Sequence, residues 1–587
     1  MARKELFGIF SPVLGEEKDF PTILLDKTIQ VENSNIVRKY GEIHRRQMRE
    51  PDMLDSGDAK SQTPDTNPII HYHLFVKRST AAQYLLAFTK AHIYLWNSVG
   101  ETWDVKFTCS ADCTEWSTAT YNDKVIATNN VDMVLVWDTT GYFIPLQNTT
   151  PIVITNATRT NPCKVTAGTH GLTSGDRVFI KDVVGMTQIN NLQFIITVVD
   201  PDNFTLNGVN SSAYTAYDSA GTVVEFEGIE YSRAYSNETS VDVTSAIGQN
   251  VLSVAATTGY VSTDKIVIGR GTVREEEAVV DSVQAGVSLT LISNLTYTHT
   301  ANAKTTVDAD SAAGQKVLNV ASTTNYAADE YVSINIGGDR WEVRKIDTIQ
   351  EGVSLTFTVN LSYEHTAVQG DEVVGTAGTN DTVEEYTSSY LTKAKYVTTF
   401  ENYLELGYTY EDGTSHPQRI RWSDIGDETD WAADDAGSAE TEGADFITGF
   451  KIYSGKLIIF KELSRIIQTL VSYSDVWNWV KMPGAIGCLS NHSIVEDPDG
   501  RVYWLANDLT FREMETGEIS HAIDPIVKLI EPSSAHLVYG QFMDETGEIW
   551  WSIPYDNALN NKVITYKEGS WGELDLSIPA FGNYKEA

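Results

Sequence analysis

The feature that most constrains the fold of this chain is an internal repeat. The segment VDVTSAIGQNVL, which begins at Val241, returns as VDADSAAGQKVL at Val307, and the offset of 66 residues does not drift. Further matched pairs are Tyr260 and Tyr326, Asp281 and Asp347, Tyr297 and Tyr363, and His299 and His365. A self-similarity of fixed period indicates two copies of one supersecondary unit.

Length and composition predict several packed domains. A chain of 587 residues is too long for one hydrophobic core, and its 42% hydrophobic and 10% aromatic content supplies material for several. The many Trp and Tyr residues favour sheets. The net charge of −37 disfavours binding to the outside of nucleic acid or to anionic membranes, although the same repulsion would let DNA slide past without adhering.

Cysteines and hydropathy exclude two other classes of protein. Four Cys in so long a chain do not predict a disulfide framework, and we interpret the C-x3-C pair Cys109 and Cys113 as buried thiols rather than metal ligands. No apolar run approaches the ~20 residues of a membrane span. The first ten residues lack the apolar core of a secretion signal, so we expect a soluble protein made in a cytoplasm.

Short β-branched and aromatic strands joined by tight turns occupy the regions on either side of the repeat. Examples are residues 84–88, 92–96 and 456–460. Strands of this size and spacing are typical of β-propeller blades, and the flanking regions hold enough residues for about six blades of ~40–50 residues. A short helix is expected only near 523–530.

The fold class predicted from these patterns is all-β, a discontinuous β-propeller of about six blades with inserted small β-barrel or β-sandwich domains. Segments 227–238 and 375–388 are interpreted as linkers. The predicted domains are 1–150 (an N-terminal segment and the first blades), 151–230 (a small β-barrel), 237–306 and 307–374 (the two repeats), and 389–587 (the remaining blades).

A search for catalytic motifs predicts no catalytic, cofactor-binding or metal-binding residues. The chain has no G-x-S-x-G, Walker A or H-E-x-x-H motif. His71 and His73 alternate along a strand, which places both imidazoles on one face, but a zinc site requires further ligands. His299 and His365 occupy equivalent repeat positions, which favours a repeated structural role.

Acidic pairs leave a hydrolase as the third hypothesis. Asp434 with Asp435, and Asp424 with Asp427, provide the paired carboxylates that glycosidases use, although such adjacency is expected by chance among 80 acidic residues. Residues 423–431 are similar to the S-x-D-x-G-x-x-W hairpin of sialidases but differ from it in spacing. A polysaccharide hydrolase is therefore placed last.

Two stretches resemble known families. Residues 169–178, THGLTSGDRV, with Gly185, Met186, Asn190 and Phe204, resemble the small β-barrel of the first catalytic-cysteine half-domain of ubiquitin-activating enzymes, which also occurs as an insert in phage structural proteins. This resemblance implies a fold and no ubiquitin chemistry. Residues 68–73, 84–89, 419–423 and 484–488, with Trp431, resemble the tail nozzle proteins of short-tailed bacteriophages.

The nozzle resemblance implies a function. In that family a β-propeller carries inserted β-domains, and six copies form a ring below the portal and adaptor through which the genome leaves. We therefore expect a non-enzymatic virion tail protein that retains and ejects DNA. The expected partners are other copies of itself in a hexameric ring, portal and adaptor proteins, tail fibres or spikes, and transiting double-stranded DNA without specific binding.

The alternative hypothesis is a receptor-binding adhesin or tail-fibre component. In this reading the repeats recognise a cell-surface glycan through exposed Tyr297 and Tyr363. The competing interpretation of these two residues is that they pack into the small cores of their own repeats.

Overall fold

The computed structural model describes residues 63–582 except 66, 147–150, 226–227, 273, 300–303, 324–325, 327, 329–330, 336–339, 370, 376–380, 433–434, 473–475, 520 and 545. It also gives the backbone of four short strands, Gly15–Glu16, Ile29–Gln30, Ile36–Lys39 and Glu42–Arg45. Most of the N-terminal segment predicted within 1–150 therefore lies outside the described residues. Half of the chain is strand and 4% is helix, which confirms the all-β class.

Six sets of four consecutive antiparallel strands make up the larger part of the described chain. Sets 1 and 2 are His71–Val76, Gln83–Phe88, His92–Asn97 and Thr102–Thr108, then Ser117–Tyr121, Lys124–Thr128, Leu135–Trp137 and Ile144–Pro145. Sets 3 and 4 are Thr382–Phe400, Tyr403–Glu411, Thr414–Trp422 and Gly437–Glu440, then Ile447–Tyr453, Lys456–Lys461, Arg465–Leu470 and Trp477–Lys481. Sets 5 and 6 are Val495–Glu496, Val502–Leu505, Phe511–Glu513 and Gly517–Glu518, then Tyr539–Met543, Glu548–Ile553, Lys562–Lys567 and Ser570–Leu574.

Each set packs face to face on the next, and set 6 packs on set 1. Successive sets share apolar cores whose paired residues include Phe88 with Trp116, Ile126 with Leu404, Phe400 with Trp477, Phe460 with Trp504, and Phe511 with Trp551. Tyr72 of set 1 contacts the core of set 6, and the Nδ1 atom of His71 lies 3.0 Å from the hydroxyl of Tyr539. The packing order is therefore cyclic.

This stacking explains why the second strand of many sets is a continuous apolar run rather than an alternating one. Lys456–Lys461 and Glu548–Ile553 are buried along almost their whole lengths. A strand in the middle of a stacked sheet is covered on both faces, so both sets of its side chains are selected for apolar packing.

In the described part of the chain, the inserted β-domains lie between sets 2 and 3. The first insert is a seven-stranded antiparallel sheet with its own core, and its Phe179 joins the core shared by sets 1 and 2. Its strands are Ile152–Val153, Asn156–Ala157, Cys163–Thr166, Arg177–Lys181, Leu192–Asp200, Asn203–Leu206 and Thr222–Glu225, with a 3-10 turn at Thr187–Ile189.

The two repeats form two small β-units, and the second is inserted within the first. The second unit is a closed barrel of Lys304–Ala309, Val317–Val320, Tyr331–Ile334, Glu342–Gln350, Ser354–Phe357 and Glu372–Gly375. The first unit contains Val251–Ser253, Lys265–Ile268, Glu276–Gln284 and Ser288–Leu291. Its last strand is the start of Thr382–Phe400, which follows the second unit in the chain and pairs with Lys265–Ile268.

The interpretation of 227–238 and 375–388 as linkers is wrong for most of both segments. Ile229–Ser240 and Thr382–Phe400 pair as long antiparallel strands, from Ile229 with Leu391 to Ser240 with Thr382. We call the part 229–235 with 386–391 the stalk. Thr382–Phe400 pairs with a strand of the first unit, then with the other strand of the stalk, and then with the second strand of set 3. One uninterrupted strand therefore joins these three parts. A two-stranded ribbon leaves both of its faces largely exposed, so both strands carry polar side chains. This polar composition is why the sequence suggested linkers.

Helices are short wherever the chain is described. The α-helix expected near 523–530 is a single turn, Asp524–Val527. The other helical turns among the described residues are the 3-10 segments Thr187–Ile189, Ala367–Gln369, Asn491–Ser493, His521–Ile523 and Pro532–Leu537. No helix in the described part of the chain has the length and apolar character needed to cross a membrane.

Candidate functional site in the hub and the inserted arm

Side chains from the first strands of sets 1, 2 and 6, with one from the 3-10 turn before set 5, meet at a polar hub, which we define as His71, His73, Thr118, His492 and Tyr539. The Thr118 hydroxyl lies 2.8 Å from His71 Nε2 and 2.9 Å from His73 Nδ1, so the two imidazoles lie on one face, as their alternating spacing predicts. The rings of His492 and Tyr539 stack at 4.7 Å between centroids. The hub is thus filled by side chains that bond to one another.

Burial keeps the hub histidines neutral. It lowers the pKa of His71 well below 6.5, with the neighbouring His492 and His73 adding to the effect, and it lowers the pKa of His73 to about 4. The pKa of His492 is lowered for the same reason. Among the described residues no group of three or more His, Cys, Asp or Glu side chains is arranged to hold a metal ion. Because its side chains hydrogen-bond and stack on one another, we regard the hub as a structural centre.

The cysteine and acidic pairs take structural positions. Cys109 and Cys113 are free thiols, and contact with Cys113, followed by burial, raises the pKa of Cys109. The pKa of Asp427 is lowered, first by the hydrogen bond from the Thr429 hydroxyl, and Asp424 and Asp427 pair within one tight turn. That turn gives no cleft between two carboxylates. Asp434, the partner proposed for Asp435, lies outside the described residues.

His299 and His365 are completely buried, and each is clamped between two carboxylates. His299 Nδ1 is 3.0 Å from Asp381 and its Nε2 is 2.6 Å from Glu276. In the second unit, His365 is 2.8 Å from both Asp371 and Glu342. Both nitrogens of each ring are therefore occupied by carboxylate partners. Neither ring has a nitrogen available for a substrate.

An arginine completes each clamp at the same repeat position. Arg274 bonds to Asp381 at 3.1 Å, and Arg340 bonds to Asp371 at 3.1 Å. The clamps fasten the segment after the last hairpin of each unit to the unit's final strand, which supports the repeated structural role.

The carboxylate and arginine partners were missed by motif searching, although the sequence contains a usable signal. Glu276 and Arg274 recur at the same 66-residue offset as Glu342 and Arg340. Charged residues that recur at equivalent positions of a duplicated unit indicate a shared buried network. Asp381 and its counterpart Asp371 do not show the 66-residue offset, because the second unit is inserted in the chain before Asp381.

Tyr297 and Tyr363, the residues proposed as glycan contacts, lie on the surface. Each side chain is 43% exposed, and neither belongs to the apolar core of its unit. The interpretation that they pack into those cores is therefore wrong. Both follow the strand pair by a turn, where a large side chain has solvent on one side.

The stalk is fixed to set 3 by a charged and aromatic joint. The Arg421 guanidinium lies 3.6 Å from the centre of the Tyr231 ring and donates to Glu411 at 2.8 Å. Burial alone would raise the pKa of Glu411, but hydrogen bonds from Arg421, Thr409 and Arg419 outweigh it and lower the pKa to about 2. The joint therefore remains charged, and it holds the stalk in a defined direction.

Comparison with known proteins identifies one part of the chain. Residues 162–227 match the family described as ubiquitin-activating enzyme E1 FCCH domain, which confirms the predicted likeness of the first insert. No curated protein matches the chain.

Solved structures give only distant similarity. The extracellular domain of a hybrid two-component system from B. thetaiotaomicron is 11% identical with a TM-score of 0.22, over 89% of this chain and 67% of that one. A second structure, described as the extracellular domain of a one-component system from B. thetaiotaomicron, gives 10% identity and a TM-score of 0.21 over 87% and 66%.

Proposed function

We propose that the six sets are the blades of a six-bladed β-propeller and that the protein is a tail nozzle subunit of a short-tailed bacteriophage. The observation that carries the proposal is the cyclic packing of six four-stranded sets, interrupted only between sets 2 and 3 by small β-units. A propeller with inserted β-domains is the architecture that the nozzle resemblance implies. In this role the chain is a structural protein of the virion and not an enzyme.

The hub bears on where a DNA channel would lie under this proposal. His71, His492 and Tyr539 contact one another at the hub. In a ring of six copies the channel would therefore run between subunits and continue the portal and adaptor channel. A net charge of −37 per chain would repel DNA phosphates and keep the genome from adhering during ejection.

The inserted units are suited to holding a tail fibre or spike. The single strand Thr382–Phe400 runs from the first unit into set 3, and the Tyr231–Arg421 joint fixes the stalk laterally. A mechanical force on the two inserted units would therefore be transmitted to the propeller through backbone hydrogen bonds of the stalk rather than through a flexible linker.

Immunogold electron microscopy of virus particles from the source, with antibody to this chain, tests the proposal. Label at the tail vertex is the expected result, and a structure of the labelled assembly should show a ring with an acidic channel. Label absent from every particle, or a ring whose channel is basic or sealed, would refute the nozzle function.

A second candidate is an adhesin, which is favoured by the exposure of Tyr297 and Tyr363. In the same labelling experiment this function predicts gold on distal fibres. Binding of the full chain to cell-surface glycans, weakened by Tyr297→Ala and Tyr363→Ala together, would support it. Equal binding by the double variant and the parent chain would exclude these two residues as the contacts.

A further inference from the structure

The two units carry opposite chemistry on the same outer face. In the first unit this face presents the charged residues Lys265, Glu275, Glu277 and Glu384. In the second unit the equivalent strand positions are Tyr331, Trp341, Val343 and Val374. Four charged side chains in one copy are thus replaced by four apolar ones in the other.

In the first unit the chain itself covers this face. Arg233 of the stalk pairs with Glu277 and lies 4.6 Å from the centre of the Tyr386 ring. Arg270 pairs with Glu384 and lies 3.8 Å from the centre of the Tyr235 ring. The face is therefore the joint between the first unit and the stalk.

In the second unit three of the four equivalent residues are open to solvent, and Val374 is partly buried. Trp341 is 55% exposed, Tyr331 is 52% exposed and Val343 is 43% exposed. Large apolar side chains grouped on one face of a small domain mark an interaction surface. We call this surface the aromatic face, and it comprises Tyr331, Trp341, Val343 and Val374.

The size of the aromatic face favours a narrow ligand over a protein. The three side chains that are roughly half exposed, Tyr331, Trp341 and Val343, present on the order of 300 Å² of apolar surface, whereas a stable protein interface buries about 800 Å² on each partner. A second copy of this chain or another folded protein would need a much larger surface than these residues supply.

The spacing of the two aromatic rings indicates the shape of that ligand. Tyr331 pairs with Lys345, four positions along the strand from Trp341, so their Cα atoms are separated by roughly 13 Å. Between them Ser333 lies opposite both Val343 and Val374, which leaves a low, narrow floor. Successive sugar rings lie much closer together than this, so flat rings at this separation match the apolar faces of the first and third rings of an oligosaccharide.

We propose that the aromatic face of the second unit is a binding site for an oligosaccharide of three or more rings. The proposal rests on the adhesin function but assigns sugar binding to residues other than Tyr297 and Tyr363. Variants of the two sets of residues therefore test the two assignments separately. The proposal is independent of the nozzle function.

The test uses the full chain on an array of hexose, N-acetylhexosamine and acidic-sugar oligomers of one to six rings, followed by calorimetry with each oligomer that binds. Trp341→Glu and Tyr331→Lys introduce the residue types found at the equivalent positions of the first unit, Glu275 and Lys265. The same fold accommodates these residues there. We expect each to weaken binding by about tenfold or more, as loss of an aromatic contact does. The control Glu275→Ala, on the equivalent face of the first unit, should bind like the parent chain.

Three results would overturn the proposal. They are an array on which no oligomer binds, binding that Trp341→Glu and Tyr331→Lys leave unchanged, and self-association of the chain in sedimentation experiments that Trp341→Glu abolishes. Self-association that Trp341→Glu abolishes would show that the aromatic face binds a second copy of this chain. Single sugar rings that bind as tightly as trimers would contradict the three-ring geometry.

Discussion

His299 and Asp381 are 82 positions apart in the chain, but His299 Nδ1 lies 3.0 Å from the Asp381 carboxylate. In the second unit the equivalent contact, between His365 and Asp371, spans only six positions. The difference arises because the whole second unit is inserted before the final strand of the first. The duplicated units are therefore nested, and only the second is continuous in sequence.

Nesting predicts which deletions the protein tolerates. Removing 304–375 excises the second unit and leaves every strand and clamp residue of the first unit in place. We expect this variant to fold with the thermal unfolding of sets 1–6 unchanged. Removing 237–306, the first repeat as predicted from the sequence, deletes His299 and leaves Asp381 without this partner. The strand Thr382–Phe400 and the second unit should then become sensitive to protease. Equal protease resistance of the two variants, by limited proteolysis, would refute the nested arrangement.

His365→Gln should destabilise the second unit. The substitution removes the imidazole that bonds to both the Asp371 and Glu342 carboxylates; Arg340 and Arg344 still pair with them, but a buried acceptor that loses its partner costs about 1–3 kcal/mol. Hydrogen exchange of residues 304–375 in the full chain should show faster opening of this unit alone. Tyr363→Ala, two positions away on the surface, is the matched control and should exchange like the parent.

Glu405→Gln should stabilise the protein at alkaline pH. Glu405 is fully buried and accepts a 2.6 Å hydrogen bond from Gln468, and burial raises its pKa from 4.5 to about 8. The folded protein therefore holds a proton that the unfolded chain releases above pH 4.5, so stability is lost as pH rises from 4.5 through 8. At pH 9 the variant should gain on the order of a few kcal/mol. Parallel denaturation curves for the two proteins from pH 4.5 to 9 would contradict the burial of this carboxyl.

Protonation of the hub should weaken the protein in mild acid. The pKa of His73 falls from 6.5 to about 4 on folding, so the unfolded chain binds a proton that the folded chain refuses, and stability is lost as pH falls from 6.5 to 4. His73→Asn should reduce the loss of melting temperature over this range, and the buried His71 and His492 account for the loss that remains. His416→Asn, outside the hub on set 3, is the control and should follow the parent. A His73→Asn profile as steep as the parent's would exclude His73 as a source.

Local sequence patterns predicted the strands because side-chain alternation and turn residues act over a few positions. Runs such as Lys456–Lys461 and Glu548–Ile553 were identifiable, and so was the repeat. The stalk was missed because Ile229–Ser240 is polar on both faces and has no apolar stripe. The partners of His299 were missed because one of them, Asp381, is distant in sequence.

The sequence by itself determined the all-β class, the duplication and the E1 FCCH-like insert at 162–227, since each is written in local patterns or in direct similarity. Only the tertiary structure decided that set 6 packs on set 1, that Asp381 completes the first unit, and that the same face is charged in one copy and aromatic in the other. Strand pairing between distant segments depends on the free energy of the whole packed core, and a local pattern that fits several partners equally well does not select one.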